Sequence, residues 1–226
     1  MSNLINEYIK KSSSIIKENR ERRLYGRIPV YTKDPLTKKI NLDFILKKIE
    51  SIIPYELVSS IDSIYIGQFE HLNSRNVNAA YHEGAIYVTN AQDDENDMID
   101  DIIHEMAHSV EETQTIKLYS DNEMEQEFLG KRSRLASLLQ AEGFDVSMDM
   151  ILDPDYIREF DEFLYKEVGY PVLTTLTMGL FYSPYAITSL REYFANGFEA
   201  VFLHNDAHYL KKISPRLFSK LENLTV

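Results

Sequence analysis

Three residues in the run from Asp100 to Glu112 could do chemistry together: His104, Glu105 and His108, arranged as HExxH. Two imidazoles four residues apart lie one above the other on a helix, so both can bind one Zn²⁺, and the Glu between them can serve as general base toward water. The helix is supported by a second pattern. Ile99, Ile102, Ile103, Met106 and Val110 recur at three- and four-residue spacing, forming a stripe opposite His104 and His108. One face is expected to dock on a core while the other looks into a cleft.

A hydrolytic zinc site wants three protein ligands and an open position. The chain has no Cys, which excludes thiolate ligands, disulfides and a thiol nucleophile and leaves His or a carboxylate as the third ligand. An extended HExxHxxGxxH pattern is absent, since position 111 is Glu and position 114 is Gln. A ligand from a separate helix is therefore required. Glu192 and Glu199 are the leading candidates, seven residues apart on nearly one face of an otherwise apolar helix that contains Leu190, Tyr193, Phe194, Phe198 and Phe202. Asn196, one turn after Glu192, is placed to hydrogen-bond a ligand histidine.

The elements that must position these groups follow from pattern. An amphipathic helix is expected over residues 1–24, followed by a short strand from Ile28 to Tyr31. A helix over 42–53 is stopped by Pro54. A second helical piece runs from Tyr55 to Ser60, and a strand from Ser63 to Phe69. Residues 78–89 read as a hairpin turning at His82, Glu83 and Gly84, and the acidic loop 90–96 suits the amino end of the HExxH helix. Further helices are expected over 122–141 and 154–167, the second opened by Asp153 and Pro154. After Pro171 the sequence shows only an apolar patch, and the long helix from Ser189 to Leu203 is followed by two short ones.

The segment from Tyr185 to Ala200 resembles the second motif of the anthrax lethal factor-like zincin peptidases, which include the Pro-Pro endopeptidases. In that family a Tyr, six residues and a Glu are followed by a Phe-Ala pair, here Tyr185, Glu192, Phe194 and Ala195. The resemblance implies that His104, His108 and Glu192 are zinc ligands, Glu105 the general base and Tyr185 the transition-state stabiliser. Three departures stand out. Asn196 occupies a position where the family often has Glu, Ala107 replaces a common Gly, and the helices over 122–167 look inserted between the motifs.

The expected fold is α+β and mostly helical: a zincin-like catalytic domain over 1–226, with a sheet and the HExxH helix in 1–112 and a helical lobe in 113–226. The expected function is a zinc-dependent metalloendopeptidase of the gluzincin type, a hydrolase with Zn²⁺ as cofactor. Its partner is a polypeptide bound in extended form along the 85–89 strand. Two alternatives share these residues: an inactive zincin-shaped interaction protein, and a zinc hydrolase acting on a non-peptide amide. A formal charge of −12 argues against nucleic acid. No signal peptide or membrane span is read, so a cytoplasmic location is expected, with secretion by another route left open.

Overall fold

The computed structural model describes residues 22–37 and 39–224. The amino-terminal helix expected over 1–24 falls outside these residues up to position 21. Its last three residues are not helical: Arg22–Leu24 form strand β1, antiparallel to β2 (Ile28–Thr32). Leu24 is fully buried and turns inward as part of an alternating strand, which a helical stripe could not achieve in this register.

Three more strands complete a mixed five-stranded sheet: β3 (Ser63–Ile66), β4 (Ala79–His82) and β5 (Ala85–Val88), in the order β1-β2-β3-β5-β4. β2, β3 and β5 are parallel, while β1 and β4 form antiparallel edges. Alternation sends Val30, Ile64, Ile66, Ile86 and Val88 into the core. Tyr31, Tyr65 and Tyr87, in register across the other face, stack with ring centroids 5.3 Å apart at each step. The β4–β5 hairpin turns at Glu83 and Gly84, both with positive φ (46° and 81°), the two-residue connection whose twist matches the strands.

Two helices link β2 to β3. Helix α1 (Leu42–Ile52) is capped by the Asn41 side chain accepting from Phe44 N and buries Leu42, Ile45, Leu46 and Ile49; the short α2 (Tyr55–Val58) follows Pro54. Helix α3 (Glu70–Arg75) precedes the hairpin. Helix α4 (Glu95–Tyr119) carries the HExxH residues and packs against β4 and β5. Asp94 starts it by accepting from Asn96 N and Asp97 N. The expected stripe is buried as predicted: Ile99, Ile102, Ile103, Met106 and Val110 are at most 3% exposed. Because α4 runs unbroken to Tyr119, the expected boundary at 112/113 falls inside a helix, and one apolar cluster joins residues on both sides of it.

The segment after α4 is helical. Helix α5 (Glu123–Ala141) buries Met124, Phe128, Leu135 and Leu139 and also the whole side chain of Arg132. The Arg132 guanidinium donates to the carbonyls of Asp153 (2.5 Å) and Met150 (2.6 Å) and lies over the rings of Phe128 and Phe160. This accounts for a difference from the sequence reading. After α6 (Met148–Leu152), the helix expected from Asp153 begins only at α7 (Arg158–Glu162) and continues as a π-helical turn over Phe163–Val168. The Asp153 carbonyl is bound to Arg132, its carboxylate accepts from Asp155 N (2.9 Å), and the Pro154 carbonyl accepts from Leu190 N (2.8 Å). The carboxylate contact is that of a helix cap, but the two carbonyls that an earlier helix start would require are engaged elsewhere.

Helix α8 (Tyr170–Thr177) occupies what read only as an apolar patch; its Thr174, Thr175 and Thr177 hydroxyls bond carbonyls four residues back. A 3₁₀ turn over Tyr185–Ile187 leads into α9 (Leu190–Phe202), capped by Ser189 accepting from Glu192 N. Helices α10 (Ala207–Ile213) and α11 (Pro215–Glu222) close the fold. The α9–α11 approach requires Gly197, where an added Cβ would stand 2.5 Å from Leu217 Cδ2. The whole is an α+β architecture, mostly helical, with one small mixed sheet. Among the described residues no helix is long and apolar enough to cross a membrane.

Candidate metal centre

Helices α4 and α9 pack against each other and bring together residues distant in sequence. The His104 and His108 rings stand 4.9 Å apart and nearly perpendicular, and ligand atoms of His104, Glu105 and His108 lie within 4.8 Å of one another. Glu192 reaches both imidazoles from α9. Its Oε2 is 3.0 Å from His104 Nε2, and its Oε1 is 3.5 Å from His108 Nε2.

The other two ring nitrogens are held from behind. His104 Nδ1 is hydrogen-bonded to Glu199 Oε1 at 2.9 Å. His108 Nδ1 faces Glu111 Oε2 at 3.5 Å and the Arg191 Nε at 3.0 Å. Glu199, weighed in the sequence as an alternative third ligand, thus lies on the far side of His104 from Glu192. Asn196 accepts a hydrogen bond from the Ser183 hydroxyl instead of bonding His104 or His108, a correction to its expected role. Glu111 escaped the sequence reading because it was tested only as a missing third His; its position three residues after His108, on the same helical face, was the available signal.

These side chains fit a zinc ion. The donor set is two imidazoles and one carboxylate with no thiolate. Ligand atoms each about 2.0–2.1 Å from a tetrahedral ion stand roughly 3.3 Å from one another. The two contacts from Glu192 to the ring nitrogens bracket that spacing. Glu192 Oε2 is also completely buried and makes no well-directed hydrogen bond, which is costly for a carboxylate unless a cation is its partner.

The electrostatics favour a protonated His104 against an ionised Glu192, so an ion taken up here would displace a ring proton. Burial disfavours a charged imidazole, yet the carboxylates of Glu192 and Glu199 outweigh it and raise the His104 pKa well above the ordinary value. Burial likewise pushes the Glu192 carboxyl up, but contact with His104 and then His108 holds it well below the usual carboxylate range. Glu192 is therefore ionised, as a ligand must be.

Glu105 is 8% exposed and its Oε2 accepts from the Tyr81 backbone N at 2.6 Å. Tyr185 stands beside the pair of imidazoles, its ring 6.2 Å from that of His104. Burial, followed by the nearby Glu192 charge, pushes the Tyr185 phenol well above its ordinary value, so it carries its proton throughout the neutral range. The five residues to which the resemblance gives roles, His104, Glu105, His108, Tyr185 and Glu192, therefore gather where α4 and α9 meet.

The strand expected to receive a substrate needs correction. β5 is paired on both sides, with β3 and β4, so the 85–89 stretch has no free edge. Among the described residues, the free edge beside α4 belongs to β4. Because Thr89 N donates to Asn78 O, the alternation of an antiparallel ladder turns the backbone groups of Ala79 and Tyr81 outward, which is why Tyr81 N can reach Glu105.

Compared with known proteins, the chain matches no protein-family model, no curated protein and no solved structure.

Proposed function

We propose that the chain is a zinc-dependent metalloendopeptidase of the gluzincin type, with the zincin architecture of the lethal factor-like family that its motifs resemble. The observation that carries this reading is the convergence of Glu192, from its own helix, on the Nε2 atoms of both HExxH histidines. A chance HExxH on a solvated helix has no reason to face a buried carboxylate that spans both of its imidazoles.

His104, His108 and Glu192 would hold the ion, whose chemistry when bound is Lewis-acid polarisation of water and of a carbonyl oxygen. Glu105 takes a proton from the attacking water and delivers it to the leaving amine. Its carboxylate is low in exposure and bordered by the β4 edge, so it meets a substrate laid along that edge. The Tyr185 hydroxyl, held protonated, donates to the oxyanion that develops on the attacked carbonyl. Glu199 and Glu111 orient the two ligand rings. An extended polypeptide, the substrate class of this reading, pairs with the outward N–H and C=O of Ala79 and the outward C=O of Tyr81, whose N–H is held by Glu105, and so passes beside that carboxylate.

The test is metal analysis of purified protein together with cleavage of a degenerate peptide library, with and without a chelator. Stoichiometric zinc and chelator-sensitive cleavage are expected. A zinc-loaded protein that cleaves no peptide would overturn the peptidase reading.

A further inference from the structure

His108 has two competing partners on the same ring nitrogen. The Arg191 Nε donates to His108 Nδ1 at 3.0 Å, and Glu111 Oε2 stands 3.5 Å from that same atom. A guanidinium can only donate and an ionised carboxylate can only accept. The two therefore demand opposite tautomers. With Nδ1 accepting from Arg191, the ring proton sits on Nε2, the nitrogen that faces Glu192. With Nδ1–H donating to Glu111, the Nε2 lone pair is free to bind a metal.

The surroundings favour an exchange between the two. Glu111 is firmly placed, its Oε1 accepting from the Tyr119 hydroxyl at 2.5 Å. Arg191 is half exposed and already 3.3 Å from Glu111 Oε2, so its guanidinium can leave His108 for Glu111 with little movement. His104, like His108, has a carboxylate at each nitrogen, but among the described residues no guanidinium stands against either one.

We infer that Glu111 and Arg191 form a tautomer selector for His108, in which Glu111 selects the metal-binding form and Arg191 opposes it, so that the pair regulates zinc loading. The inference rests on the zinc reading above and adds control of ion uptake to it. Both are positioning residues that act through His108.

The experiment measures zinc affinity by competition with a chromophoric chelator for the full chain and for Glu111→Ala, Glu111→Asp and Arg191→Met, with circular dichroism as a check on folding. Glu111→Ala is expected to lose about 10–100-fold in affinity, Glu111→Asp to recover part of it, and Arg191→Met to gain several-fold. Nitrogen chemical shifts of His108, recorded without added zinc, are expected to show more Nδ1–H tautomer in Arg191→Met, a signature that loss of packing would not produce. Wild-type zinc binding combined with unchanged affinity in Glu111→Ala, or with weakened affinity in Arg191→Met, overturns the selector and leaves the zinc reading standing. Absence of zinc binding in the wild type and every variant overturns both.

Discussion

His104 and Glu192 are brought to 3.0 Å, Nε2 to Oε2, by two helices whose contributions are 88 positions apart in the chain, and Glu199 approaches the same imidazole from its other nitrogen. One ring is thereby held between two carboxylates of a single helix, of which only Glu192 also reaches His108. This asymmetry separates the roles of the two acids. Glu192→Ala should reduce zinc affinity by more than the about 10–100-fold expected for Glu199→Ala, which removes only a partner of a ligand. Chelator competition checks this; the reverse order would move the third ligand to Glu199.

Glu105→Gln should retain zinc and lose about 10²–10⁴-fold in peptide cleavage, because the amide cannot accept the proton from water. Gln retains a carbonyl that can accept from Tyr81 N, so thermal stability should change little. Wild-type turnover in this variant would remove Glu105 from the mechanism.

Tyr185→Phe should lower kcat by roughly 10²–10³-fold with a small change in KM, since the lost hydrogen bond serves the developing oxyanion and not the bound substrate. Single-substrate kinetics on any cleaved peptide read this directly. A rise in KM at constant kcat would instead assign Tyr185 to substrate binding.

Asp101, one turn before Glu105, provides a pH test. Burial pushes its carboxyl from 3.8 to about 6, and the bond from Gln92 opposes that rise only in part. The folded state therefore holds this proton more tightly than the unfolded chain does. The contribution to stability is fully present below pH 3.8 and declines as pH rises through about 6, above which it is flat. Asp101→Asn should abolish that decline and stabilise the protein near pH 7 by roughly 1–2 kcal/mol, a figure reduced for the group's partial exposure. Urea denaturation of chelated protein between pH 4 and 7 tests this; parallel declines in wild type and variant would count against it.

Arg132→Ala should destabilise the fold by about 3–5 kcal/mol, because it empties a large core volume and strands the Asp153 and Met150 carbonyls. Urea unfolding of wild type and variant measures the loss, and a difference under about 1 kcal/mol would show that the buried guanidinium is dispensable.

The site was legible in the sequence to a large extent because its chemistry obeys local spacing rules. The four-residue spacing of the histidines, and the helical run that carries Glu192, set directions that tertiary packing did not need to change. The apolar stripe of α4 was equally readable, since Ile102 and Met106 sit where a 3.6-residue period demands. What failed was non-local. Whether Pro154 begins a helix depends on Arg132 and Leu190, tens of residues away, taking its neighbourhood's carbonyls. Whether β5 is an edge depends on which strand pairs beside it, which alternation within one strand does not specify. Asn196 lay at the right helical offset, but Ser183 met it first.

The bond from Leu190 N to the Pro154 carbonyl gives the long middle segment a part in placing the Glu192 helix. It anchors the first turn of the helix bearing Glu192, so excising residues 122–167 to obtain a minimal domain would unmoor the carboxylate along with the excess length. Shortening this protein would have to be followed by rebuilding that anchor from another acceptor.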